Sequence, residues 1–227
     1  RNSEVDAVTV QVARESFFDD VKCKKYKLGD ENLIDFLKKV KSVGKKIGVA
    51  IDGAFNVDDI DKIGQYEALK VDFYKVLSSD MLNVDLIREL FCSTAESIYV
   101  STGMNTYQEI DDLINKCPPV DGRLKLIHTQ LSPDISDVNM KAIEVMRQKY
   151  DLPVAYGHHC KCIDVMYISL GFEPESIFFY IKGSKDEKYP DDLHAIRADY
   201  VGGITSQIKL LQQSIGSGMK IKMKNGT

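Results

Sequence analysis

The sequence predicts an α/β fold built on parallel strands, and three observations carry that prediction. Short runs rich in Val, Ile, Phe and Tyr alternate with amphipathic helical stretches along the whole chain. Such repetition joins parallel strands through right-handed crossovers. The runs number seven, close to a (β/α)8 barrel, and 227 residues come near the roughly 250 of that fold. No GxGxxG follows the first run, so a dinucleotide-binding sheet lacks its main signature. Periodicity alone leaves a doubly wound sheet and a barrel both open.

Taken in order, the strand candidates are 7–12, 46–51, 73–77, 97–101, 124–128, 153–157 and 176–181. Between them, Leu33, Leu37 and Val40 fall at i, i+4 and i+7, one apolar stripe behind a cap expected at Asp30. Leu82, Leu86, Leu90 and Phe91 mark a second helix; Ile110, Leu113 and Ile114 mark a third. Met140, Ile143, Met146 and Tyr150 make a fourth behind Ser136-Asp137, and these stripes read as core. A last helix over 200–215 is expected to stop at Gly216-Ser217-Gly218. One domain over 1–219 accounts for all of this, with 220–227 a basic exposed tail.

Composition narrows the classes of function. Charged residues make up 28% of the chain, net charge is −4, and the lysines are interspersed with acids. That balance argues against nucleic acid or an anionic membrane as partner. No apolar run approaches the roughly 20 residues that span a bilayer. The five cysteines are odd in number and irregular in spacing, which predicts reduced thiols and a cytoplasmic protein.

In a parallel barrel the chemistry gathers at the C-terminal ends of the strands. Read there, the sequence offers Gln11, Asp52-Gly53, Lys75 with Ser78-Ser79-Asp80, Ser101-Thr102-Gly103-Met104-Asn105, His128-Thr129-Gln130, His158-His159-Cys160 and Tyr180. Lys75 either points into the barrel or leans its stem outward on a helix. Ser101-Thr102-Gly103 fits a phosphate cradle and fits an ordinary turn equally well. His128 is as compatible with a hydrogen-bonded core histidine as with a site. Adjacent strand residues face opposite ways, so His158 and His159 are not expected to share one ion, and no second Cys/His cluster completes a zinc site.

Several of these stretches, in order, resemble the sialic acid synthase family, which includes the legionaminic and pseudaminic acid synthases. Phe73-Tyr74-Lys75-Val76-Leu77-Ser78-Ser79-Asp80 is similar to its F-K-I-A-S-G-D/E, and Ser101-Thr102-Gly103-Met104-Asn105-Thr106 with Glu109-Ile110 to its L-S-T-G-M-x-T-x-x-E-I. Val5-Asp6-Ala7-Val8-Thr9-Val10-Gln11 is similar to A-D-A-V-K-F-Q, Leu126-Ile127-His128 to L-L-H-C, and Pro153-Val154-Ala155-Tyr156-Gly157-His158-His159 to P-V-G-Y-S-D-H. The resemblance implies a TIM-type (β/α)8 barrel whose first strand is missing from the chain, with no C-terminal antifreeze-like domain. It implies condensation of phosphoenolpyruvate with an N-acetylated aminosugar, within surface polysaccharide synthesis. Seven parallel strands leave an open seam of unpaired backbone groups, which predicts either a further segment of chain or a homo-oligomer such as a dimer. The resemblance further implies that Lys75, Ser78, Ser101 and Gln11 contact substrate, that Asp80 and Asp191 are catalytic, and that His159 ligates Mn2+ or Mg2+.

The chain departs from that pattern at several points. Thr9 replaces the lysine of the second family strand, Asp52-Gly53-Ala54-Phe55 replaces S-T-P-F, and Tyr180 replaces the second metal-binding histidine. The first-strand glutamate has no counterpart. Three readings follow: an enzyme using the open end of the barrel, an inactive homologue serving as a binding or scaffold subunit, or a fragment of a longer enzyme.

Overall fold

The computed structural model describes residues 4–12, 19, 21–24, 27, 29–51, 64, 66–117, 122–183, 189 and 191–220. Asp52-Gly53-Ala54-Phe55, Pro190 and residues 221–227 of the tail lie outside that set.

Seven parallel strands form the central sheet: β1 (Ala7–Val12), β2 (Lys46–Ile51), β3 (Phe73–Val76), β4 (Ser97–Ser101), β5 (Leu124–Thr129), β6 (Val154–Gly157) and β7 (Ile177–Phe178). Each pairs with its predecessor, so spatial order equals chain order. A doubly wound sheet reverses order at a switch point. This one never does, which settles the choice for the barrel topology. The sheet also curls. Phe73 on β3 and Phe178 on β7 meet edge to face at 6.0 Å, although four inter-strand steps in a flat sheet would separate them by roughly 19 Å.

Strand alternation divides the core in two. Side chains on one face, such as Tyr74, Val76, Ile98, Val100, Leu124, Leu126, Val154 and Tyr156, pack against the helices. On the other face Phe73, Tyr99, Ile127 and Ala155 make a smaller inner cluster, joined by Ala7 and Phe178. Gly48 makes room for it: a Cβ there would lie 2.2 Å from the Phe73 ring. Below this layer the Glu175 carboxylate accepts from the Tyr99 hydroxyl (2.8 Å), from Lys125 (2.5 Å) and from Ser176 (2.7 Å).

The helices are α1 (Val21–Lys24), α2 (Asp30–Ser42), α3 (Val84–Ser93), α4 (Tyr107–Lys116), α5 (Lys141–Tyr150), α6 (Asp164–Ser169) and α7 (Ala198–Gln212); all but the short α1 and α6 follow the expected stripes. Their ends differ in instructive ways. Asp30 is the first residue of α2 rather than its cap; Gly29 holds the cap position with extended backbone and makes no side-chain cap bond. Leu82 lies ahead of α3, 49% exposed, because Asn83 caps that helix by accepting from the Leu86 amide. Thr106 and Glu109 form a reciprocal capping box at α4, so the T-x-x-E spacing has a local structural cause. Helix α7 ends before Gly216 and Gly218, which both adopt positive φ (68° and 72°).

The seventh strand is shorter than its apolar run. After Phe178 its pairing passes from β6 to a small parallel ladder, β8 (Ile181–Lys182) with β9 (Ile196–Arg197), begun by the Ile196 amide donating to the Tyr180 carbonyl. Among the described residues no strand bridges the sheet edges β1 and β7.

Candidate functional site

Lys75 points inward. Two residues beyond Phe73 on the inner face of β3, its ammonium lies 5.4 Å from the Phe178 ring centre and 5.9 Å from that of Tyr180. Burial lowers its pKa to about 8, against the opposing field of Asp191. A half-buried cation with one acid acting on it is set up to receive an anion.

Around it stand His159, Tyr180, Asp191 and His194. The His159 and His194 ring centres are 4.5 Å apart, and Tyr180 closes the triangle at 5.2 Å from His159 and 5.1 Å from His194. Burial, then the neighbouring His194, Lys75 and His158, push His159 down to about 3. Burial together with Asp191 raises Tyr180 to about 12, so it stays a neutral phenol. Burial lifts Asp191 above its ordinary value, partly offset by His194 and Lys75. His194 Nε2 lies 3.8 Å from Asp191 Oδ1. Burial holds this imidazole below its usual pKa, which makes the approach a polar contact rather than an ion pair at neutral pH.

His194 is the residue that sequence reasoning missed. A turn places it: its amide donates to the Asp191 carbonyl, as does that of Ala195, before β9 pairs with the end of the seventh strand. Nothing in periodicity marks it. A usable signal existed in the count, since the chain has four histidines and the other three stand at the ends of β5 and β6.

The other expected residues are placed as follows. Ser78 and Asp80 are buried in the 3-10 turn after β3, where the Asp80 carboxylate accepts from the Ser79 hydroxyl (2.9 Å). Ser101 is buried at the end of β4. In the loop after it, the Thr102 amide donates across to the Ile127 carbonyl of β5 and the Asn105 amide to the Thr102 carbonyl. Gln11 lies exposed on the edge strand β1, two strands from Lys75. His128 is a core histidine, buried and bonded through Nε2 to the Val138 carbonyl (2.9 Å). His158 is buried and its Nδ1 pairs with the Tyr156 hydroxyl (3.1 Å), while its Nε2 has no partner. The five cysteines are free.

A divalent metal, implied by the resemblance, is tested by the donors. Among the described residues no three His, Cys, Asp or Glu side chains converge as a coordination sphere. Tyr180 offers a neutral phenol, and the Lys75 ammonium acts electrostatically on His159. A cation beside the ligand opposes a dication. Among the described residues, these donors do not fit the metal.

Comparison with known proteins agrees with this architecture. Residues 22–220 match the profile described as NeuB family. The N,N'-diacetyllegionaminic acid synthase of Campylobacter jejuni is 22% identical over 187 residues, covering 80% of this chain and 55% of that protein. Its Legionella pneumophila counterpart is 26% identical over 161 residues, covering 67% and 45%. The chain thus spans about half the length of these curated relatives. Among solved structures, the N-acetylneuraminic acid synthetase of Leptospira borgpetersenii superposes with a TM-score of 0.84 at 17% identity, over 97% of this chain and 78% of that one. A truncated 3-deoxy-D-arabino-heptulosonate 7-phosphate synthase of Thermotoga maritima gives 0.67 at 12% identity, over 92% and 88%. Both likenesses fix the fold as that of a TIM-barrel relative. With the match running from before α2 to beyond α7, the chain belongs to the NeuB family.

Proposed function

We propose that this chain carries a phosphoenolpyruvate site of the nonulosonic acid synthase kind, serving cytoplasmic synthesis of a surface polysaccharide sugar. Lys75 is the anion-binding cation, Ser78 and Ser101 are the hydroxyl partners beside it, and Asp191 faces the aminosugar. The observation that carries the reading is the inward, desolvated Lys75, which receives a substrate anion at less desolvation cost than a solvated lysine would. Names of relatives support the product class: two are N,N'-diacetyllegionaminic acid synthases.

The reaction joins C3 of phosphoenolpyruvate to the sugar aldehyde carbon. Water adds its hydroxyl at C2 and its proton to the former aldehyde oxygen. Inorganic phosphate leaves as C2 becomes a ketone.

A second reading, a non-catalytic binding subunit, is favoured by the lack of converging metal donors among the described residues. Calorimetric titration with phosphoenolpyruvate separates the two readings. Binding that disappears in Lys75→Ala supports the synthase site; a folded protein that does not respond to millimolar ligand supports the subunit. Homodimer formation belongs to the same proposal and is read by sedimentation.

A further inference from the structure

Four buried side-chain atoms among the described residues lack a hydrogen-bond partner, on Asn105, Thr129, His158 and His194, and the one on His194 stands against His159 and Asp191. Nε2 of His194 is buried and has no hydrogen-bond partner. Its side chain is only 12% exposed, and Asp191 Oδ1 at 3.8 Å stands beyond hydrogen-bond distance. An unsatisfied buried imidazole nitrogen costs about 1–3 kcal/mol unless something completes it. The residue is held from two sides: its amide and that of Ala195 donate to the Asp191 carbonyl, and its ring packs against those of His159 and Tyr180. A ring packed between two others with an unpaired buried nitrogen is placed to meet a ligand at that atom.

Its position is as informative as its state. Tyr180 stands where the family resemblance places the second metal-binding imidazole. His194, from the turn before β9, brings an imidazole back against His159, yet the described donors do not form a coordination sphere. Among the described residues, the fixed charges acting on this group of side chains are the Lys75 ammonium and the Asp191 carboxylate.

We propose that His194 replaces the metal: its Nε2–H donates a hydrogen bond to the sugar carbonyl oxygen, and the site works without a divalent cation. This rests on the synthase reading. As C3 of phosphoenolpyruvate attacks, negative charge develops on that oxygen, and a fixed N–H in a desolvated pocket stabilises it more than the neutral carbonyl. Lys75 holds the phosphoenolpyruvate anion at the same time, and Asp191 accepts from a sugar hydroxyl. His159 supports the His194 ring and coordinates nothing.

The test uses the whole chain in three forms: wild type, His194→Ala and His194→Gln, the last keeping an N–H donor. Calorimetry with phosphoenolpyruvate comes first, because absent binding refutes the synthase reading itself. Imidazole proton spectra are then recorded with 100 μM Mn2+. The proposal expects no selective broadening of the His159 and His194 signals. Phosphate release from phosphoenolpyruvate with a panel of N-acetylated aldohexosamines is followed after EDTA treatment. It should persist in wild type, fall about 10²-fold or more in kcat in His194→Ala with the phosphoenolpyruvate KM unchanged, and recover in part in His194→Gln. Selective broadening by Mn2+, or phosphate release that EDTA abolishes and Mn2+ restores, overturns the proposal while leaving phosphoenolpyruvate binding intact. Bound phosphoenolpyruvate without release, with or without Mn2+, overturns it as well.

Discussion

The two ends of the barrel interior handle polar groups in opposite ways. At the lower end Glu175 accepts from Tyr99, Lys125 and Ser176, so cation and carboxylate are paired at 2.5 Å and braced by a phenol. Pairing lowers the Glu175 pKa despite its burial, and it raises that of Lys125. At the upper end Lys75 is desolvated with Asp191 as opposing charge, His159 is driven down, and His194 Nε2 lacks a partner. Both ends bury lysine in one inner layer of the same sheet. The lower end is complete as it stands, whereas the upper end leaves its groups short of partners that a ligand can supply.

Substitutions should therefore move stability in opposite directions at the two ends. The largest effect is expected for Glu175→Ala, which strands Lys125 and Tyr99 and should cost about 3 kcal/mol in urea unfolding at pH 7. An unchanged midpoint there would remove the contrast. Phe178→Ala opens the inner layer where Phe73 and Tyr99 meet it at 6.0 and 5.2 Å, and should cost about 2–4 kcal/mol. At the upper end, Lys75→Met should instead raise stability at pH 7 by about 1–3 kcal/mol, because the cost of holding a cation in a desolvated site disappears. His194→Ala should be smallest, within about 1 kcal/mol, since it deletes an unsatisfied group together with some ring packing.

The pH dependence sharpens the same comparison. A depressed Glu175 pKa adds stability that is present above the unfolded value of about 4.3 and is lost as pH falls through the lower folded value. Lys75 acts the other way. Its unfolded form binds a proton below about 10.4 and its folded form only below about 8, so stability rises with pH between those values. Acid unfolding curves of Glu175→Gln should lose the first slope, and alkaline curves of Lys75→Met the second.

Much of the barrel was legible in the residues because burial on both faces of a parallel strand demands β-branched and aromatic runs, and these stand out. The seventh strand was overread: Phe179 and Tyr180 continue the apolar run, but the Tyr180 carbonyl is claimed by Ile196, which no local pattern announces. The helix stripes gave the helices, while the expected Asp30 cap failed because extended backbone at Gly29 begins the helix one residue earlier. In the site, the inward aim of Lys75 needed only the register of Phe73 and the sheet's curl to resolve two open alternatives. His194 carries no local signal: its meaning comes from meeting His159, a tertiary contact between the end of β6 and the segment before β9.

The most direct test of the central claim, that the upper end is an anion site built around a desolvated lysine, is calorimetric titration of phosphoenolpyruvate into the wild-type protein and into Lys75→Met at pH 7. The account predicts measurable binding in wild type and an affinity at least about 10²-fold lower in the folded, more stable Lys75→Met protein. Equal affinity in the two, or no heat at millimolar ligand with both proteins folded, would contradict it.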